Sequence, residues 1–266
     1  MNYEETLLRK FDIISQDTDY ILTLRENTKN KELLKKIEDY LDNNPKVIAE
    51  YIANMSTSIS YGINIELLSE IVLLIIKDII NNTDSKYSDF EFIGQGVFSK
   101  VFRIGAKVLK IGSCRGTERF NNNPYILKPL LRRYIDVGRN LFFEITELVD
   151  TNINITPEDL YNLYKKLREL HLVWIDVSLD NVGRLLKDNK IYWKSNLNPS
   201  DSVLNLDQYI GNETLLKGDL VILDADYIFN ENDRRLRKEL LYNPLFNKFE
   251  TRYKKETSKS LVLTIK

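Results

Sequence analysis

Phe90-Glu91-Phe92-Ile93-Gly94-Gln95-Gly96-Val97-Phe98-Ser99-Lys100-Val101-Phe102-Arg103-Ile104-Gly105-Ala106-Lys107-Val108-Leu109-Lys110-Ile111 is the stretch on which the fold turns. Short runs rich in Phe, Val and Ile alternate here with glycine, which reads as strand, turn, strand, turn, strand. Strands are expected at Phe90 to Ile93, Val101 to Ile104 and Lys107 to Ile111, with Gly105-Ala106 as the tight turn of a hairpin between the second and third. In the first turn Gly94 and Gly96 stand two apart. Lacking a Cβ, they let backbone N–H groups approach phosphate oxygens, although the same pattern also builds an ordinary glycine hairpin. Lys110 lies in the third run, where alternation along a strand aims its ammonium either toward what the turn covers or into solvent, with Lys107 on the other side.

Upstream the periodicity is helical. Leu33, Leu34, Ile37, Tyr40 and Leu41 form one amphipathic pattern, and Val47, Ile48, Tyr51, Ile52 and Met55 form a second after Pro45. A third helix running from Ile65 to Ile80 is apolar nearly all round, which predicts burial between other elements. The polar stretch Asn81-Asn82-Thr83-Asp84-Ser85 separates the two registers, so a helical domain is expected over 1–86 and a second domain over 87–266.

Downstream, strands are expected within Tyr125 to Tyr134 and at Leu141 to Leu148. A helix follows with Thr156 as N-cap, Pro157 at its first position and Asp159 completing a capping-box pattern, with Leu160, Leu163, Leu167 and Leu170 on one face. His171, on that apolar stripe one residue beyond Leu170, is expected to pack or to hydrogen-bond. Then comes Trp174-Ile175-Asp176-Val177-Ser178-Leu179-Asp180-Asn181, an aspartate and an asparagine five apart. Further on, Leu220-Val221-Ile222-Leu223-Asp224-Ala225-Asp226 puts an aspartate at the end of a short apolar strand. The basic residues Arg234, Arg235, Arg237, Lys238, Lys254 and Lys255, interspersed with glutamates, read as a solvated helix face.

Glycine turn, strand lysine, Asp-x4-Asn and strand-aspartate, in that order, resemble the protein-kinase signature set over residues 90–229. The resemblance implies an α+β, two-lobed kinase-like domain with an abbreviated C-lobe, an N-lobe over about 87–148 and a C-lobe over about 149–266, preceded by the all-helical segment. It implies ATP and Mg2+ as ligands, with Lys110 on the phosphates, Asp176 orienting or accepting the proton of the attacking hydroxyl, and Asn181 with Asp224 holding the metal. Nucleotide contacts by the same resemblance are Gly94, Gln95, Gly96, Val97, Phe98, Ser99 and Val101, with Glu147 and Val149 after the last strand. Asp226 stands as an alternative metal ligand, and Glu118 as a candidate ion-pair partner of Lys110.

The sequence departs from that pattern at several places. Trp174-Ile175 replaces the usual His-Arg, Ser178 stands where a lysine is typical of serine/threonine kinases, and Asp224-Ala225-Asp226 replaces Asp-Phe-Gly. An insertion over 183–219 separates Asn181 from Asp224, and 40 residues follow Asp226. The expected function is an ATP-dependent protein kinase directed at serine or threonine. The alternatives are a small-molecule phosphotransferase resembling the aminoglycoside and choline kinases, and a nucleotide-binding pseudokinase serving as an interaction module.

With 38 basic and 39 acidic side chains among 266 residues, no global field points to nucleic acid or a membrane surface as partner. A protein substrate is expected, and the helical domain is expected to bind a protein partner or pack on the catalytic part. One cysteine, Cys114, and one histidine argue against an internal disulfide or a His/Cys metal site and fit a reducing, cytoplasmic setting. The longest apolar run, Ile71 to Ile76, falls far short of the roughly 20 residues that span a bilayer. The acidic N-terminus does not read as a signal peptide.

Overall fold

The computed structural model of the chain describes residues 18–57, 62–96, 98–113, 123–136, 138–152, 154–188, 216–224, 227–233 and 243–264, with positions 6, 10, 11 and 236 besides. The fold is α+β, helices combined with antiparallel sheet. It divides into two compact units: the described residues of Met1–Cys114 and Leu130–Thr146 form the first, those of Arg115–Pro129, Glu147–Tyr192 and Tyr209–Lys266 the second.

The first unit opens with helices α1 (Thr18–Asn27), α2 (Lys31–Asn43), α3 (Pro45–Thr57) and α4 (Ile65–Asn81). Asn30 and Asn64 cap α2 and α4, their side-chain oxygens accepting from the backbone N–H groups of Glu32 and Leu33 and of Glu66 and Leu67. Pro45 begins α3, where its missing N–H costs nothing. On α2 the buried residues are Leu33, Ile37 and Leu41, one stripe at a spacing of four. On α4, Leu68, Ile71, Val72, Ile75, Ile76 and Ile79 are buried, but Leu67 and Leu74 are 49% and 41% exposed. The helix is thus buried between other elements as expected, but one side is wet, and the apolar excess there reflects leucines that face solvent.

Five strands follow: β1 (Phe90–Gln95), β2 (Ser99–Ile104), β3 (Lys107–Gly112), β4 (Leu131–Asp136) and β5 (Leu141–Glu147), in the order β1-β2-β3-β5-β4. The hairpin from β2 to β3 turns at Gly105-Ala106, with Ile104 paired to Lys107. Helices and sheet share one core, in which Leu33, Ile52, Val72 and Ile76 pack with Phe102, Leu109, Phe143 and Ile145. Polar bonds reinforce that seam: Asp42 accepts from the Ser88 N–H at 2.8 Å, and Arg25 donates to the carbonyl of Ser88 at 2.9 Å and to that of Phe90. The change from helix to strand near residue 86 thus falls inside a single core.

The strand expected in part of Tyr125 to Tyr134 is present, and the remainder of that run pairs elsewhere. Leu131–Asp136 is β4, whereas Ile126 bridges in parallel to Ile222, with bonds of 2.8 Å from Ile222 N–H to Tyr125 and from Leu127 N–H to Ile222. Pro129, between the two parts, has no N–H for a continuous ladder.

In the second unit, β6 (Val149–Asp150), β8 (Val182–Leu185) and β9 (Leu220–Ile222) form one sheet, and β7 (Leu172–Trp174) pairs with β10 (Ile228–Asn230). Helix α5 (Pro157–Glu169) starts as the sequence predicts: the Thr156 hydroxyl accepts from the Asp159 N–H at 3.1 Å, and the Asp159 carboxylate accepts from the Thr156 N–H at 2.9 Å. Its inner face, Leu160, Tyr161, Leu163, Tyr164 and Leu167, packs with Trp174 and with Phe246 and Phe249 of α6 (Pro244–Thr264). Arg252 on α6 grips Glu158 through two bonds of 2.6 and 2.8 Å, and Tyr164 hydrogen-bonds Glu250. Among the described residues no helix is long and apolar enough to cross a membrane.

Candidate functional site

The glycine turn of the first unit is built by backbone contact. Gln95 pairs with Lys100 and Gly94 with Val101, and the ladder slips between Phe92 and Gly94, a bulge that bends the end of β1. The Gly96 N–H donates to the Ser99 carbonyl at 2.8 Å and closes the turn. The Ser113 N–H donates to the Phe98 carbonyl at 2.9 Å, which draws the turn down onto the end of β3. Gly112 makes that approach possible, since a Cβ there would sit 2.6 Å from the Phe98 carbonyl oxygen and 2.7 Å from the Ser99 Cβ.

Gly94 differs from Gly112. It has no positive φ, and among the described residues a Cβ there would meet nothing within 4 Å, so neither backbone conformation nor packing against those residues requires a glycine. Phe98 is exposed, Ser99 is buried, and Val101 stands opposite Lys110, which is half-buried in β3. Gln95 and Lys100 bond through their side chains. Val97 lies outside the described residues.

The second unit bonds Asp176 to Asn181 and runs Leu223, the neighbour of Asp224, alongside them. Asp176 is exposed just after β7, whose residues Leu172, Val173 and Trp174 are all buried. Asn181 ends a 3-10 turn, Leu179–Asn181, capped by the Ser178 hydroxyl accepting from the Asp180 N–H at 3.2 Å. The Asn181 amide Nδ2 donates to the Asp176 backbone carbonyl at 3.0 Å and to its carboxylate Oδ2 at 2.8 Å. On its other side the Asn181 carbonyl accepts from the Leu223 N–H at 2.9 Å, which sets Asp224 next to this loop at the end of β9. Because Nδ2 is spent on Asp176, the Asn181 amide turns its oxygen the other way, the atom a hard cation takes.

Among the described residues no group of three or more His, Cys, Asp or Glu forms a metal cage. Asn181 and Asp224 offer an amide and a carboxylate oxygen, the donor type that magnesium takes, commonly one or two from the protein together with substrate phosphates.

Other expectations resolve individually. Glu147 is buried at the end of β5, and Val149 on β6 leans against Gly183, where a Cβ would come within 2.7 Å of its Cγ2. Glu118 and Asp226 lie outside the described residues, as does most of the 183–219 insertion. Trp174 and Ile175 are core side chains, 0% and 5% exposed, so the replacement of His-Arg supplies packing. Ser178 caps its own turn. His171 hydrogen-bonds as expected, its Nδ1 lying 2.8 Å from Glu231, but it is not on an apolar stripe: α5 ends at Glu169, Leu170 is 47% exposed, and His171 has a φ of +59° with its ring on the surface. The helical stripe was extended one turn too far.

Sequence reading missed Gly112 and Gly183, whose roles depend on what lies across the sheet. A glycine ending an apolar strand was the available signal at Gly112. No protein-family model matches the chain, and no curated protein matches it.

Proposed function

We propose that this chain is an ATP-dependent phosphotransferase of protein-kinase-like, two-lobed design, moving the γ-phosphate of Mg-ATP to a hydroxyl, with serine or threonine of a protein as the leading acceptor. The observation that carries this is the bond from Asn181 Nδ2 to the Asp176 carboxylate at 2.8 Å, with Asp224 following the Leu223 N–H that bonds Asn181. An aspartate for the acceptor and two oxygen ligands for a cation are what a catalytic loop of this class requires.

Support from the first unit is independent. Lys110 lies on the third strand, with Gly94 near the end of the first strand and Gly96 in the turn to the second, contexts that the kinase motifs call for. That no packing among the described residues demands a glycine at position 94 fits a backbone left bare for an external phosphate.

In the reaction, the acceptor oxygen forms a bond to the γ-phosphorus as the bond to the β-bridging oxygen breaks and ADP leaves. Asp176, one oxygen engaged by Asn181, uses the other to orient the acceptor hydroxyl and take its proton. Lys110 offsets phosphate charge, and the backbone left bare at Gly94 lets the phosphates approach the turn closely. Asn181 and Asp224 would hold magnesium, which supplies charge neutralisation on the β- and γ-oxygens.

The test is transfer of labelled γ-phosphate from Mg-ATP to a generic protein, to the chain itself and to small aminoglycoside or choline acceptors, with Asp176→Ala alongside. The expected result is label on protein, falling by about 10²–10⁴-fold in the variant while nucleotide binding persists. Label on small acceptors alone moves the assignment to a small-molecule phosphotransferase. Full transfer by Asp176→Ala sinks the assignment of the loop.

A further inference from the structure

The first unit holds a buried ion pair, Arg132–Glu144, on the sheet that carries Lys110. Arg132 is 1% and Glu144 3% exposed, they face each other across β4 and β5, and Nη1 lies 2.7 Å from Oε1. Arg132 also stacks on Phe142, with its guanidinium carbon 3.9 Å from the ring centre.

Two observations place this pair beside Lys110. The first is the facing of side chains. Leu109 and Ile111 of β3, Leu141, Phe143 and Ile145 of β5, and Leu131 and Ile135 of β4 all join the core shared with the helices. Strand alternation therefore turns Lys110, Phe142, Glu144 and Arg132 to the opposite face. The second is alignment. β3 and β5 are neighbours in the sheet, and Asn140 Nδ2, just before β5, lies 3.5 Å from the carbonyl of Ser113, just after β3. The end of one strand thus meets the start of the other, so they run antiparallel. Because residues opposed across an antiparallel pair share a face, the β5 residues on the Lys110 side are Phe142 and Glu144.

We infer that Glu144, held in place by Arg132, is the carboxylate that positions the Lys110 ammonium. This rests on the assignment of Lys110 to the phosphates, and it makes β5 the source of the ion-pair partner instead of Glu118. A carboxylate has two oxygens with about four acceptor sites, so engagement of Oε1 by one guanidinium N–H is compatible with a lysine as second partner. Arg132 stays charged under all ordinary conditions, which makes it a permanent anchor for Glu144. In this role Glu144 is a positioning residue that acts only through Lys110.

The test reads Lys110 directly. The nucleotide-free full chain is treated at pH 8 with an amine-acylating reagent, and modification at Lys110 is followed by mass spectrometry. Only the neutral amine reacts, and a carboxylate nearby favours the ammonium, so Glu144→Gln should label about tenfold faster, one pKa unit's worth. Should that variant not fold with Arg132 left buried and unpaired, the double variant Arg132→Met/Glu144→Met removes the pair as a unit and should also label faster. An unchanged rate in the folded variant, or acceleration by Glu118→Gln instead, overturns the inference. Phosphotransfer is then measured on the same proteins. Faster labelling with at least a tenfold loss of kcat/KM for ATP supports both proposals. Faster labelling with no transfer even in the parent leaves the Lys110–Glu144 pair standing and removes the kinase assignment.

Discussion

The glycine turn of the first unit and the Asp176–Asn181 loop of the second are stiffened by opposite means. In the first, position follows from atoms that are missing: Gly112 admits the Phe98 carbonyl, and Gly105 admits Ser85, whose Oγ would lie 1.8 Å from an added Cβ. In the second, position follows from side-chain groups that are present: the Asn181 amide ties Asp176, and the Ser178 hydroxyl caps the turn between them. Steric fit of this kind tolerates no added atom, whereas a hydrogen-bonded loop loses one bond at a time. A backbone meant to approach a polyanion is best left bare, and a carboxylate meant to take a proton is best aimed by a donor.

The contrast predicts where substitutions hurt most. Gly105→Ala should be the most damaging to stability. Its φ is +57°, which costs a side chain about 1–2 kcal/mol, and the collision with Ser85 adds about 1–3 kcal/mol. Adding Ser85→Gly should recover the collision and leave the backbone cost, since only the Ser85 Cα, 3.5 Å away, would remain near the new methyl. Urea denaturation of the three proteins reads this directly, and a Gly105→Ala protein as stable as its parent would contradict the steric account. Gly112→Ala should come next, at about 1–3 kcal/mol, because the opposing atoms are backbone and Cβ of the glycine turn itself. Hydrogen exchange at the Gly96 and Ser113 amides, both bonded in the parent, should accelerate in that variant more than exchange in α2.

The hydrogen-bonded region should break differently. Asn181→Asp keeps shape but turns an oxygen toward the Asp176 carboxylate in place of a donor. Stability should fall by only about 1 kcal/mol, because the loop is open to water. Phosphotransfer, under the proposed function, should fall far more. A loss of stability as large as that of Gly105→Ala would show that the loop is held as rigidly as the turn.

The sequence was most informative where structure is local. The strands around Gly94–Gly96, the Gly105-Ala106 hairpin and the Thr156 cap are set by residues within a few positions of one another. It was least informative where distant segments decide. The split of the 125–134 run depends on Ile126 finding Ile222, nearly a hundred residues away, and the wet face of α4 depends on which side the sheet covers. The candidate site shows the same division. Lys110, Asp176, Asn181 and Asp224 stand out by order and spacing, but the bonds that run from Asn181 to Asp176 and to Leu223, beside Asp224, do not. The Arg132–Glu144 pair is equally hidden because it depends on strand register.

The smallest expected effect separates the two sources of a cap. Thr156→Ala removes the hydroxyl that accepts from the Asp159 N–H and donates to its carboxylate, and should cost about 1 kcal/mol. Asp159 has its acidity strengthened first by the Thr156 backbone N–H and then by the Thr156 hydroxyl. A carboxyl whose folded pKa is depressed contributes stability that is present above its unfolded value, near pH 4, and lost as the pH falls through the folded value. Asp159→Asn should therefore weaken the chain at neutral pH and match its parent in strong acid. Thr156→Ala keeps the backbone N–H, the larger influence, and should retain most of that acid dependence while shifting the whole stability curve down. If Thr156→Ala abolishes the acid dependence instead, the hydroxyl dominates, and the cap belongs with the side-chain-held loop as fully as Asn181 does.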